Sequence, residues 1–263
     1  DELDINPNEE GKAISLIRGV IAFFKEAGYE IGGFDAYTTS NVLKGSGLSS
    51  SAAFEVLICN ILKGLYGNDI SAEEIAKISQ KAENVYFGKP CGLLDQMACS
   101  VGGFTAIDFK DPNNPIIEKV DFDLSSFNHS LCIINTGGNH ADLTDDYAAI
   151  TRDCKAVSKF FGCEFLRDVS VDEFYANIAN VRSKLGDRAV LRAIHIFDEN
   201  ERAIAQKKAL QNKNFDEFLT IFLYLSSLLN LTTSTSAFVL FLASFKSGNC
   251  IISLLSYEYF NTI

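Results

Sequence analysis

The sequence predicts a mixed α/β fold, with strands and helices in its first half and mostly helices in its second. Three observations carry this: apolar residues recurring at steps of three and four, short alternating runs between those stretches, and Gly, Pro and Asp punctuation separating the two patterns. At 263 residues and 47% hydrophobic composition, the chain can bury one large core or two smaller ones.

Taken in order, residues 13–27 place Ile14, Ile17, Ile21 and Phe24 on one helical face, and Gly28 stops the helix. Residues 33–39 alternate Phe34, Ala36 and Thr38 against Asp35, Tyr37 and Thr39, the pattern of a strand. A helix over 50–66 carries Ala53, Val56, Leu57, Ile61 and Leu65 and ends at Gly67. Ser71 and Glu74 have capping-box spacing and open the next helix, with Ile75 and Ile78 on its apolar face and Glu83 near its end. Short β-like runs follow at 103–109, 116–122 and 131–135, the first two separated by a turn at Asp111, Pro112, Asn113, Asn114 and Pro115. Helical patterns then occupy 145–161, a segment opened by Ser170 and Glu173, and 187–210. The expected division is an αβ lobe over 1–125 and a helix-rich lobe over 126–263.

A net charge of -11 disfavours broad electrostatic attraction to nucleic acid or anionic lipid, both polyanions. Seven cysteines, an odd number with no Cys-x-x-Cys pair, suit a reducing compartment, and the expected location is cytoplasmic. Asp1 in place of a starting Met is read as a fragment or a trimmed N-terminus. From 218 to 263 only Lys246 and Glu258 carry charge, and this tail breaks from the preceding composition. Ser226, Ser227, Asn230 and the Thr/Ser run at 232–236 dilute its hydropathy, so a membrane span is disfavoured.

The most informative stretch is Leu43, Lys44, Gly45, Ser46, Gly47, Leu48, Ser49, Ser50 and Ser51, running into Ala52 and Ala53. Gly45 and Gly47 let backbone N–H groups turn toward an anion, and a helix beginning near Ser50 aims its own N–H groups and positive dipole end at the same point. Serine hydroxyls can bond phosphate oxygens or complete a divalent cation's shell. The same residues would also serve as a serine-capped helix after a flexible loop. The stretch is neither a Walker loop nor a Gly-x-Ser-x-Gly elbow.

A second segment sets Glu83 and Asp95 on either side of a bend, Gly88, Lys89, Pro90, Cys91 and Gly92. Brought together, one carboxylate can ligate Mg²⁺ while the other orients or deprotonates an acceptor hydroxyl, the division of labour in phosphoryl transfer. Each also has a plainer reading, Asp95 as a helix-start residue and Glu83 as part of a solvated helix face. Cys91 reads as a bend residue rather than a nucleophile, and the three histidines form no i, i+4 pair for zinc.

On these residues the chain resembles the galactokinases of the GHMP small-molecule kinase superfamily. The stretch from Gly47 to Ala52 is similar to that superfamily's phosphate-binding motif, and the stretch from Gly88 through Leu93, Leu94, Asp95 and Gln96 to the segment bearing the galactokinase catalytic aspartate. Asn135 to Tyr147, Arg192 to His195 and Glu199 to Arg202 resemble further family segments. The resemblance implies a two-lobed α/β kinase that phosphorylates the anomeric hydroxyl of galactose from ATP. By it, Asp95 is the catalytic group; Gly45, Ser46, Gly47, Leu48, Ser49, Ser50 and Ser51 bind ATP; Gly92, Asp95 and Tyr147 contact the sugar; and Ser51 and Glu83 hold Mg²⁺.

The resemblance also implies an N-terminal signature, whose arginine pairs with the catalytic aspartate, and a late glycine motif closing over the phosphates. Neither is found within the 263 residues, where Gly248 is the only glycine after Gly186. An activity impaired by these losses is therefore expected, and a change of reading frame near Phe218 would account for both the missing glycine motif and the uncharged tail. Two alternatives stay open: a turnover-dead sugar- and ATP-binding regulator of the same fold, and a related hexosamine kinase. Leu43 stands where the phosphate motif usually has proline, which loosens the loop.

Overall fold

The computed structural model describes the backbone of residues 3–40, 48–111, 114–135, 144–229, 238–246 and 249–256, and the side chains of 3–40, 48–111, 114–129 and 148–222. The backbone divides into two units, Asp1–Lys119 and Val120–Ile263. In the first, α1 (Ala13–Glu26) buries Leu16, Val20, Phe23 and Phe24, one stripe of an amphipathic helix. It ends in a Schellman cap: Gly28 at φ +85° donates to Lys25 O, and Tyr29 donates to Phe24 O.

Helix α2 (Ser50–Tyr66) stops at Gly67 in the left-handed region, and α3 (Ala72–Ala82) opens on Ser71, whose Oγ accepts from the Glu74 N–H at 3.1 Å. These three helices share one core, in which Val20, Phe24, Cys59, Leu62 and Ala82 are fully enclosed. A π-helical turn, Glu83–Phe87, continues α3 and closes at Gly88 with φ +80°. Helix α4 (Leu94–Val101) packs Met97 beside Ala76 and Leu93, with Ile107, Phe109 and Ile117 around them. Strands β1 (Phe104–Asp108) and β2 (Ile116–Val120) pair as a two-stranded sheet, and Asn114 closes the turn between them onto Asp111.

The strand expected at 33–39 is not formed. Residues 31–40 run without regular structure, largely exposed, with Tyr37 93% accessible; the segment is held at Gly33, whose carbonyl accepts from Tyr66 Oη at 2.8 Å. Alternation specifies two faces but supplies no ladder partner, and without one the extended segment stays a loop.

In the second unit, β3 (His129–Asn135), β4 (Phe238–Lys246) and β5 (Asn249–Ser256) form an antiparallel sheet in that order, with Cys132 opposite Phe241 and Phe241 opposite Leu254. The uncharged C-terminal stretch thus supplies the latter part of α9 (Phe215–Leu229) and a two-stranded antiparallel pair. A second core joins α5 (Thr144–Phe160), α6 (Val171–Ala176), α7 (Ile178–Leu185) and α8 (Asp187–Gln211) around Cys154, Val157, Phe174, Val181 and Ala193. Arg188 and Arg192 of α8 both reach Asp153 of α5, at 2.8 and 2.6 Å. Phe122, Phe127, Phe215 and Phe218 stack together. Among the described residues, no helix is long and apolar enough to cross a membrane.

One close approach fixes the first unit. A Cβ at Gly19 of α1 would lie 2.9 Å from Ala82 Cβ and 3.0 Å from Tyr86 Cβ, so the two backbones meet where only hydrogen fits. Gly19→Ala is expected to lower the unfolding free energy by about 1–3 kcal/mol, read by urea denaturation, despite alanine's better helix propensity.

Candidate functional site

Three backbone features of the first unit bring the sequence motifs to one place. Ser49 precedes α2 with φ +54° and ψ +43°, a left-handed conformation uncommon for serine, and Ser50 begins the helix. A left-handed residue followed by a right-handed one turns successive N–H groups into a shared concavity, the shape that receives an anion. Ser49 makes no side-chain cap. Gly45, Ser46 and Gly47 lie outside the described residues, as does the side chain of Tyr147, whose backbone is in the first turn of α5.

The second feature is the π-helical turn. The N–H groups of Gly88 and Lys89 both bond to Glu83 O, the latter at 3.2 Å, so the chain folds back on the residue that opens the turn. The third is the start of α4, where Asp95 occupies the first turn and Gln96 points into the protein, fully buried. Gly92 is buried in the connection leading there.

Glu83 is the centre. Its side chain is 2% exposed, and its two oxygens divide their partners. Oε1 accepts from Ser51 Oγ at 2.8 Å and from Lys89 Nζ at 3.3 Å; Oε2 accepts from Gln96 Nε2 at 2.8 Å and from the Cys91 thiol at 3.3 Å. Ser51 and Glu83, 32 residues apart in sequence, are therefore in direct contact. Burial, then the neighbouring Glu83 charge, pushes the Cys91 thiol well above its usual range, so Cys91 stays protonated and serves as a donor.

Glu55 lies behind this carboxylate, one turn after Ser51 on α2 and completely buried. Gln96 Nε2 reaches Glu55 Oε2 at 3.3 Å, so one amide spans both acids. Burial, and then the Glu83 charge, raises the Glu55 carboxyl from 4.5 to about 9, with Asp95 adding a smaller push in the same direction. Asp95 also contributes to raising Cys99 to about 11, after burial. Its charge is thus felt at Glu55 on α2 and at Cys99 on its own helix.

Glu55, Gln96 and Lys89 are participants that the sequence reading does not single out. Glu55 carries a visible signal: it is the only acid in α2, four residues after Ser51, in an otherwise apolar run. Lys89 and Gln96 sit inside the quoted motif, but their targets are set by the π turn, which spacing does not reveal.

Glu55 gives the site a pH signature. Below about 4.5 its carboxyl is protonated in folded and unfolded chains alike; between there and about 9 the unfolded chain releases the proton and the folded chain keeps it, so stability falls as pH rises. Glu55→Gln removes that linkage. Urea denaturation from pH 5 to 9 should show the variant losing less stability than the parent, by on the order of 1 kcal/mol or more.

With this geometry in place, relatives fall into one group. Residues 15–103 match the model of the GHMP kinases N terminal domain. Galactokinase of Streptomyces coelicolor is 31% identical over 204 residues, covering 76% of this chain and 51% of that protein. Galactokinase of Glaesserella parasuis serovar 5 is 34% identical over 215 residues, covering 80% and 55%. The chain spans about half the length of the curated relatives it matches. The crystal structure of Lactococcus lactis galactokinase complexed with galactose superposes with a TM-score of 0.66 over 97% of this chain and 70% of that one, at 24% identity, a likeness of fold. The start of α2, the acidic centre behind it and these relatives agree: residues 15–103 are similar to the N-terminal domain of the GHMP kinases, and the chain shares the galactokinase fold.

Proposed function

We propose that this chain is the part of a galactokinase that carries its phosphate loop and catalytic aspartate, transferring the γ-phosphoryl group of ATP to the anomeric hydroxyl of galactose. The observation that carries the reading is the Ser51 hydroxyl seated on the buried Glu83 carboxylate, at the start of the helix that follows the glycine-serine loop. The relatives reported above all bear the name galactokinase, which favours a kinase over a turnover-dead regulator.

A hydroxyl and one carboxylate, opening on a phosphate cradle, fit Mg²⁺, which takes one or two protein ligands and fills its shell with waters and phosphate oxygens. Among the described residues, no three His, Cys, Asp or Glu side chains form a metal cage of their own. Ser51 and Glu83 would hold the ion, which when bound neutralises charge on the β- and γ-phosphates.

The remaining work belongs to the protein. The amides of 45–51 and the positive end of α2 fix the nucleotide's phosphates. Asp95, in the first turn of α4, orients the sugar's C1 hydroxyl and receives its proton; as the new P–O bond forms, the bond to the β-phosphate oxygen breaks and ADP leaves. Because that transition state is loose, alignment and charge neutralisation supply most of the rate. Gly92 and Tyr147 enter the proposal on sequence likeness alone. The abundance of free thiols fits a reducing, cytoplasmic setting.

Galactose-dependent ADP release by the purified chain tests the reading. Asp95→Asn should lower kcat by about 10²- to 10⁴-fold while leaving nucleotide binding within a few-fold, as expected for loss of a general base. Equal turnover in parent and variant would remove Asp95 from the mechanism.

A further inference from the structure

Lys89 lies within the family-like segment but has no part in the mechanism above, yet its ammonium group takes one of the four places around Glu83. Two features put it there. The Lys89 N–H bonds to Glu83 O at 3.2 Å, anchoring the residue's backbone to the opening of the π turn. Gly88, at φ +80°, makes the reversal that brings the side chain back over that turn, and a Cβ at Gly88 would lie 2.7 Å from Glu10 Oε1. The stem of Lys89 remains 62% exposed while the carboxylate it reaches is 2% exposed, so the lysine approaches a buried acid from the solvent side.

The division of partners on Glu83 gives this position its meaning. Oε2 is held from within by Gln96 and Cys91, whereas Oε1 is shared by Ser51 and the ammonium group. Ser51 and Glu83 are the two residues proposed above to hold the divalent ion. A cation already sits at the oxygen that the ion would use.

We propose that Lys89 is a resident counter-ion of Glu83 that occupies the divalent-cation position until metal and nucleotide arrive, and then yields it. The inference rests on the reading of Ser51 and Glu83 as metal-holding residues. A flexible four-carbon stem permits the exchange, because Lys89 can swing back to water without moving its anchored backbone. Its departure exposes Oε1 with the inner partners still in place, so the carboxylate keeps its orientation. Until then the ammonium compensates a buried negative charge that would otherwise be costly to leave bare. The lysine therefore competes with free metal, and the site favours metal delivered with polyphosphate, whose own charge can receive the released ammonium.

Mn²⁺ alone, titrated into the chain without nucleotide and followed by electron paramagnetic resonance, tests this. Lys89→Met keeps the apolar stem and removes the charge; it should bind Mn²⁺ about three- to tenfold more tightly than the parent, the scale of one partly exposed ion pair. Lys89→Arg, which restores a cation, should return to parental affinity or weaker. No gain in Mn²⁺ affinity in Lys89→Met, with the fold intact by circular dichroism, overturns the inference. Glu83→Gln separates the two layers: if it abolishes Mn²⁺ binding that Lys89→Met leaves unchanged, only the role of Lys89 fails. A tighter binding in Lys89→Met that survives Glu83→Gln places the ion elsewhere and overturns the metal reading as well.

Discussion

The buried Glu83 carboxylate is the constraint on which the first unit's functional geometry depends. An acid withdrawn from water is tolerated only with charge compensation and filled hydrogen-bond positions, and here four donors from three segments meet that demand. Each donor is thereby fixed in turn. Ser51 ties down the start of α2, Gln96 the start of α4, and Cys91 with Lys89 the loop between them. Ser51, proposed to touch phosphate and metal, and Asp95, proposed to touch the sugar, stand on the two helices this single group holds together.

Glu55 adds a neutral counterpart. Two carboxyls spanned by one amide cannot both be charged at low cost in so dry a place, and the structure resolves the conflict by keeping the proton on the inner one. Gln96 Nε2 donates to both carboxyls and so bridges the inner acid to the outer one. The protein accepts some loss of stability at neutral pH for this arrangement, a common feature of sites built for chemistry rather than for packing.

Much of the fold was legible in the sequence where the signal is local. The extents of α1 and α2, the Ser71 and Glu74 cap of α3 and the Gly28 and Gly67 stops all act within a turn or two of chain, and the structure places them as expected. The buried stripes differ, running through Leu16, Val20, Phe23 and Phe24 in α1 and Ala52, Val56, Ile58, Cys59 and Leu62 in α2, with Ile14, Leu57 and Leu65 exposed. Apolar residues on both sides of each helix leave the choice of face to tertiary packing. The 33–39 segment failed because a strand needs a partner that alternation cannot name. The site divides similarly. Ser51, Glu83 and Asp95 stand out through their motifs, while Glu55, Gln96 and Lys89 became visible only once the π turn and two helix starts had converged. Their importance lies in contacts across 6 to 41 residues of chain, which no spacing encodes.

The π-helical turn at Glu83–Phe87 also bears on how the chain can vary over time. Such a turn is an α-helix carrying one surplus residue, and losing that residue would restore the regular spiral while rotating everything beyond it by about 100°. Glu83 would then keep its address on α3, but the bend bearing Lys89 and Cys91 would leave it. The exposed side chain of Val85 therefore has room to drift, whereas Glu83, the packed Tyr86 and the length of the segment do not.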